Sequence, residues 1–219
     1  MPGERVGGRA LLAVAATLTI LVAACGSDGS GDGGGDGDAA LSGIVREPAP
    51  VVDGHPVPSL TEPGADVEFR ASPGELQVVY FGYTNCPDVC PTTLADLTVA
   101  LRKLPDGLAD RVETIMVTVD PGRDLDVLAE YVRSFVPDAV AAGTDDDAVL
   151  RAAAEPFGVS YQVRTVDDGT VEVDHTPFLY AVDDRGELVL TWQFGASSDD
   201  IASDIETLLG REGESGRAA

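Results

Sequence analysis

The sequence predicts an α/β sandwich, a mixed β-sheet flanked by helices, and three observations predict it. Two runs, Leu76 to Tyr83 and Val112 to Val119, are nearly continuous in apolar and β-favouring residues, which suits strands covered on both faces. Each run is followed by apolar residues at three- and four-residue spacing: Leu94, Leu97, Leu101 and Leu104 after the first, and Leu125, Leu128, Val132 and Phe135 after the second. That spacing places one buried stripe on a helix. Two turn signals, Asp167-Asp168-Gly169 and Asp183-Asp184-Arg185-Gly186, then sit between short β-favouring segments, as in hairpins.

Taken in chain order, Leu41 to Pro63 is rich in Pro and Gly with short apolar pieces, so an irregular extended or hairpin region is expected, with Val67 to Phe69 as an added edge strand. The strand over Leu76 to Tyr83 runs straight into a cysteine motif, and the helix after it stops near Pro105-Asp106-Gly107. Asp120-Pro121-Gly122 separates the second strand from its helix. Val140 to Ala142 reads as a short strand, and Asp145-Asp146-Asp147 supplies carboxylates to the start of a helix through Ala154, stopped by Gly158. One hairpin joins Val159 to Val166 with Thr170 to Val173, and a second joins Phe178 to Val182 with Leu188 to Phe194. Ile201, Ile205, Leu208 and Leu209 mark a closing helix. This order matches a thioredoxin-like sandwich carrying an extra N-terminal hairpin region.

The chain has 219 residues, 44% of them hydrophobic, enough for one ordinary core. Arg5 and Arg9 precede the apolar stretch Ala10 to Ala24, the layout of a secretory leader over residues 1–24. That stretch ends Val22-Ala23-Ala24-Cys25 and resembles a bacterial lipobox, so Cys25 is the expected lipidation site and the expected location is the outer face of the cell membrane. The apolar run is shorter than the roughly 20 residues a membrane helix needs. Residues 25–40 are almost wholly Gly, Asp and Ser after the cysteine and read as a flexible tether, which leaves 41–210 as the folded domain and 211–219 as a loose tail. The formal charge of −24 makes nucleic acid and anionic lipid poor partners.

Of three cysteines, Cys25 is taken by lipid on this reading, and Cys86 and Cys90 remain as a pair. They lie in Cys86-Pro87-Asp88-Val89-Cys90-Pro91, at the end of a buried strand and the start of a helix, where open α/β sheets place ligands. Amide N–H groups and the helix dipole there favour negative charge, so both sulfurs are expected to be more thiolate-like than a free thiol. Four residues of helical rise put them about 6 Å apart, within reach of a disulfide and equally of one shared metal ion. Of the two histidines, His55 lies in the turn Asp53-Gly54-His55-Pro56 and reads as a solvated loop residue, whereas His175 falls between a hairpin and a core strand, beside the expected cysteine helix. Two thiolates and one imidazole are a soft set that suits Cu(I), and structural zinc would lack a fourth ligand. An inert disulfide staple and an open zinc site with two cysteines and a histidine are the competing readings at this stage.

The stretch from Phe81 to Leu94, FGYTNCPDVCPTTL, resembles the signature of the Sco/SenC family, with Val119-Asp120-Pro121, Arg123-Asp124, Tyr161, Val173-Asp174-His175, Asp183 and Gly186 as further matches. The resemblance covers roughly Val67 to Leu209. It implies copper held by Cys86, Cys90 and His175, and delivery of that copper to the dinuclear copper site of cytochrome c oxidase, or maintenance of that site's thiols. The copper-centre subunit of the oxidase is the implied partner, with other copper chaperones or thioredoxin-like reductants beside it. Asp120 resembles a family acid near the site and equally reads as a cap for the next helix, Asp174 is placed to orient His175, and Asp88, between the cysteines, is expected to raise sulfur pKa by like charge. Pro177 stands where thioredoxins carry a cis-proline, so a cis Thr176-Pro177 bond is a further expectation. Tyr83 and Trp192 read as core or rim aromatics and Met116 as strand packing.

A second function class uses the same cysteines differently. In an extracytoplasmic thiol-disulfide oxidoreductase, Cys86 attacks a partner's disulfide and Cys90 resolves the mixed disulfide, with His175 tuning the thiolate. A peroxidase would need one low-pKa cysteine in a peroxide pocket, and the paired motif argues against it.

Overall fold

The computed structural model describes residues 40–215, and side chains as far as 211. The expected leader, the expected lipidation site Cys25 and nearly all of the expected tether lie outside the described residues. Among the described residues no helix is long and apolar enough to cross a membrane.

The centre of the domain is a five-stranded mixed sheet. Strands β1 (Val57–Pro58) and β2 (Asp66–Val67) form a small antiparallel hairpin of their own, and then β3 (Leu76–Gly82) enters the sheet with every residue buried. Helix α1 (Val89–Lys103) follows, then β4 (Val112–Thr118), the short helices α2 (Pro121–Asp124) and α3 (Leu128–Arg133), β5 (Val140–Ala142) and α4 (Asp147–Ala154). A separate hairpin of β6 (Tyr161–Thr165) and β7 (Val171–His175) precedes β8 (Leu179–Val182), β9 (Leu188–Trp192) and the closing helix α5 (Ser198–Ser215). The sheet order is β5-β4-β3-β8-β9, parallel from β5 to β3 and antiparallel from β3 to β9. This is the expected mixed sheet with flanking helices.

Local chemistry accounts for the elements. The buried side of α1 carries Cys90, Thr93, Leu94, Leu97 and Ala100, and the helix ends at Leu104, just before Pro105. Helix α4 is capped by Asp146, whose carboxylate accepts from the amides of Ala148 and Val149. Gly158 ends the following turn at φ 74°, a left-handed conformation that glycine takes without steric cost. Asp183 is buried and accepts from the amides of Arg185 and Glu187, closing the β8–β9 turn.

Three elements differ from the sequence reading. The segment around Val67 pairs with Val57 in the small hairpin rather than lengthening the main sheet; that hairpin meets the β5 edge through Ser59 and Ala142. The helix predicted over Leu125 to Phe135 is two short helices, because the turn starting at Pro121 ends before Leu128 begins the next. Helix α5 runs to Ser215, past the expected start of the tail at Arg211; residues 216–219 lie outside the described residues. The extended N-terminal segment lies beside β9, with Ile44 bridged to Thr191 and Val51 to Glu187, and so covers a sheet edge. Its start is held by the buried Asp204 of α5, which accepts from the amides of Ser42 (2.8 Å) and Gly43 (3.0 Å) and from the Trp192 indole (2.8 Å).

Candidate metal centre

Strand pairing brings the three candidate ligands together. Tyr80 of β3 lies opposite Leu179 of β8, so the chain leaving β3 toward Cys86 and the chain entering β8 from His175 converge at the same end of the sheet. The ligand atoms of Cys86, Cys90 and His175 all lie within 4.8 Å of one another. Cys90 Sγ is 3.5 Å from His175 Nε2, and both cysteines are free thiols.

The two sulfurs have unlike surroundings, and the helix explains why. Cys90 stands one turn before Leu94 on the buried stripe of α1 and is fully buried. Cys86 precedes the helix and is half-buried. The Asp88 side chain makes no cap hydrogen bond, and Cys86 Sγ instead accepts the Cys90 amide at 3.2 Å. Burial pushes the Cys86 thiol up, but the Cys90 amide and thiol, the Asp88 amide and the Tyr83 hydroxyl together bring it below its ordinary value. Burial dominates at Cys90 and pushes its thiol up to about 12. The expectation of two thiolate-like sulfurs therefore holds for Cys86 and fails for Cys90, whose place on the apolar stripe removes it from water.

His175 is held neutral. Burial lowers its pKa, outweighing the backbone of Thr176 and Phe81, which raises it. Its Nδ1 lies 3.2 Å from the Thr176 carbonyl. A proton on Nδ1 donates there and leaves the Nε2 lone pair facing Cys90. The ring stands edge-on to Tyr83 (centroids 5.6 Å apart, 90°) and to Tyr80 (6.1 Å, 79°). Beside it a depression of about 510 Å³, lined by Arg151, Tyr161, Asp174 and His175 among others, opens to solvent.

The expected supporting acids are placed differently. Strand alternation sends Asp174 and His175 to opposite faces of β7, so Asp174 is exposed and pairs with Arg164 at 3.0 Å, while a backbone carbonyl orients the imidazole. Asp88 is exposed, and its amide lowers the Cys86 pKa, opposite to the like-charge effect expected of its carboxylate. Asp120 is buried, makes no side-chain cap and pairs with Arg123. Burial raises its pKa more than Arg123 lowers it. Among the described residues the cis peptide bond is Glu47–Pro48, so Thr176–Pro177 is trans. His55 is exposed in its turn, Met116 is buried in β4 and Trp192 is a core residue bonded to Asp204, all as read.

Two residues at the site escaped the sequence reading. Tyr83 does more than fill a rim position: its hydroxyl favours the Cys86 thiolate, and burial followed by that sulfur's charge pushes the phenol up to about 12. Asp124, noted only as a motif match, is fully buried and bonded to the loop that carries Cys86. Two sulfurs and a neutral imidazole in a partly dry pocket form a donor set that fits Cu(I).

Comparison with known proteins agrees with this geometry. The family model described as SCO1/SenC matches residues 59–210. An SCO2-like protein of Rickettsia prowazekii is 33% identical over 131 residues, which are 58% of this chain and 63% of that protein. The chain thus spans just under two thirds of the length of that curated relative. The solution structure of apo Sco1 from Thermus thermophilus is 34% identical with a TM-score of 0.62, covering 77% of this chain and 97% of that one. The structure of Bradyrhizobium japonicum ScoI with copper bound is 27% identical with a TM-score of 0.59, covering 76% and 98%.

Proposed function

The chain belongs to the SCO1/SenC family, and on that premise we propose that it carries copper on Cys86, Cys90 and His175 and delivers it to the copper-centre subunit of cytochrome c oxidase. The observation that carries this reading is the convergence of two thiols and one neutral imidazole nitrogen within 4.8 Å. Copper here is cargo: Cys86 offers a sulfur already inclined to ionise, Cys90 gives up its proton on binding, and His175 supplies a nitrogen that needs no deprotonation at neutral pH. The copper-bound relative supports the choice of metal. A lipidated Cys25 and the Gly/Asp tether over 26–40 would hold the domain at the outer face of the cell membrane.

The unequal thiols favour one second reading. A half-buried, lowered-pKa Cys86 beside a buried, raised-pKa Cys90 is the arrangement of an attacking and a resolving cysteine. Such a pair would keep the target's own thiols reduced. His175→Ala separates the two roles. A copper carrier loses Cu(I) affinity by more than about 100-fold, exceeding the effect of losing a mere supporting residue, while turnover of a disulfide substrate by Cys86 and Cys90 persists. Unchanged copper affinity in that variant would remove His175 from the site.

A further inference from the structure

We infer that Asp124 is a positioning residue for the Cys86 sulfur, acting through a buried clamp on the loop between β3 and α1. Its carboxylate is fully buried and accepts three hydrogen bonds: from the Thr84 amide (3.1 Å), the Thr84 hydroxyl (2.5 Å) and the Thr118 hydroxyl (2.7 Å). Thr118 also accepts the Asp120 amide at 2.9 Å, which ties the same knot to the end of β4. Thr84 stands two residues before Cys86, and the last β3 residue, Gly82, is in register with Thr118. One side chain from α2 thus joins the end of β4 to the chain segment that presents the first sulfur.

The clamp does what the strand ladder does not. Beyond β3 the register ends, and Thr84, Asn85 and Cys86 have no strand partner; the backbone bond from the Val119 amide to the Gly82 carbonyl is the last along that edge. A carboxylate that accepts three donors in a place closed to water holds them by bonds that are strong and hard to rearrange. Cys86 is therefore held in place before any metal arrives, against a second sulfur that α1 fixes independently. Residues that orient metal ligands from behind commonly change affinity about 10- to 100-fold when lost.

This inference rests on the copper-carrying reading, and its test separates the two. In the full chain, Asp124→Ala is expected to speed amide exchange at Thr84 in the metal-free state by at least tenfold, and to weaken Cu(I) binding by about 10- to 100-fold. Asp124→Asn retains an oxygen for the Thr84 amide and the Thr118 hydroxyl, and its amide group can donate to a turned Thr84 hydroxyl. It is expected to recover both quantities to within about threefold, as geometry rather than charge requires. If Asp124→Ala does not fold, Thr84→Ala, which removes only the hydroxyl bond, must show the copper effect at smaller size. The inference is overturned if a folded Asp124→Ala chain keeps wild-type exchange and copper affinity, if Thr84→Ala changes no copper affinity, or if Asp124→Asn restores exchange but not copper binding. A wild-type chain that binds no copper through its thiols would instead sink the copper reading, while the exchange comparison would still judge the clamp.

Discussion

Alkylation of the reduced, metal-free chain tests the asymmetry on which both readings of the thiol pair depend. The Cys86 pKa lies below its ordinary value, so at pH 8 its thiolate share exceeds that of an ordinary thiol. A pKa of about 12 leaves Cys90 with roughly one thiolate in ten thousand. Against an ordinary thiol at 9.0, Cys90 is thus short of thiolate by about 1000-fold. The more basic thiolate is the better nucleophile, with a Brønsted slope of about 0.4–0.5, which over about three units returns roughly 20- to 30-fold. Cys90 is therefore expected to label at least about 30-fold more slowly than an ordinary thiol, and its complete burial can only widen its lag behind Cys86. Limiting iodoacetamide followed by peptide mass spectrometry reads the ratio directly. Equal labelling, or faster labelling of Cys90, would refute the argument from the buried stripe of α1.

Other perturbations follow from the same structure. The Cys90 proton is retained to about pH 12 when folded but is lost near 9 when unfolded, so stability contributed by this thiol is present below pH 9 and declines by up to about 1.4 kcal/mol per pH unit above it; denaturation of the wild type against Cys90→Ala at pH 8 and 10 checks the sign. At Gly82 an added Cβ would come within 2.5 Å of the Tyr80 ring and 3.1 Å of Met116 Cε, so Gly82→Ala is expected to cost about 1–3 kcal/mol and to shift the near-ultraviolet signal of the tyrosines around His175. Asp204→Ala strands the Trp192 indole and the amides of Ser42 and Gly43, and a loss of about 3 kcal/mol with faster amide exchange at 42–44 is the expected outcome. Leu97→Ala opens a cavity under α1 and should cost about 2–5 kcal/mol in a melting experiment.

Much of the site was legible in the chain itself. Continuous apolar runs and a 3.6-residue period located β3, α1 and β4 to within a few residues, because each is buried and its composition records that burial. Cys86, Cys90 and His175 stood out as the scarce soft ligands of an acidic chain. What the sequence could not separate was residues close in the chain but opposite in environment. Asp174 and His175 are neighbours on different faces of a strand, and Cys86 and Cys90 lie on either side of a helix start. Tyr83 and Asp124 look like an ordinary aromatic and an ordinary acid until the fold sets one against a sulfur and buries the other beneath Thr84.

The sequence by itself determined which segments become strands and helices and which three side chains are able to bind a soft metal, since periodicity and ligand chemistry are local properties of the chain. Only the tertiary structure decided that the imidazole reaches the sulfurs, that one thiol is ready to ionise and the other is not, and that a buried carboxylate is bonded to the loop just ahead of the first thiol. Those outcomes depend on distance and solvent access, and both arise when β8 pairs with β3 and closes residues about ninety positions apart into one pocket.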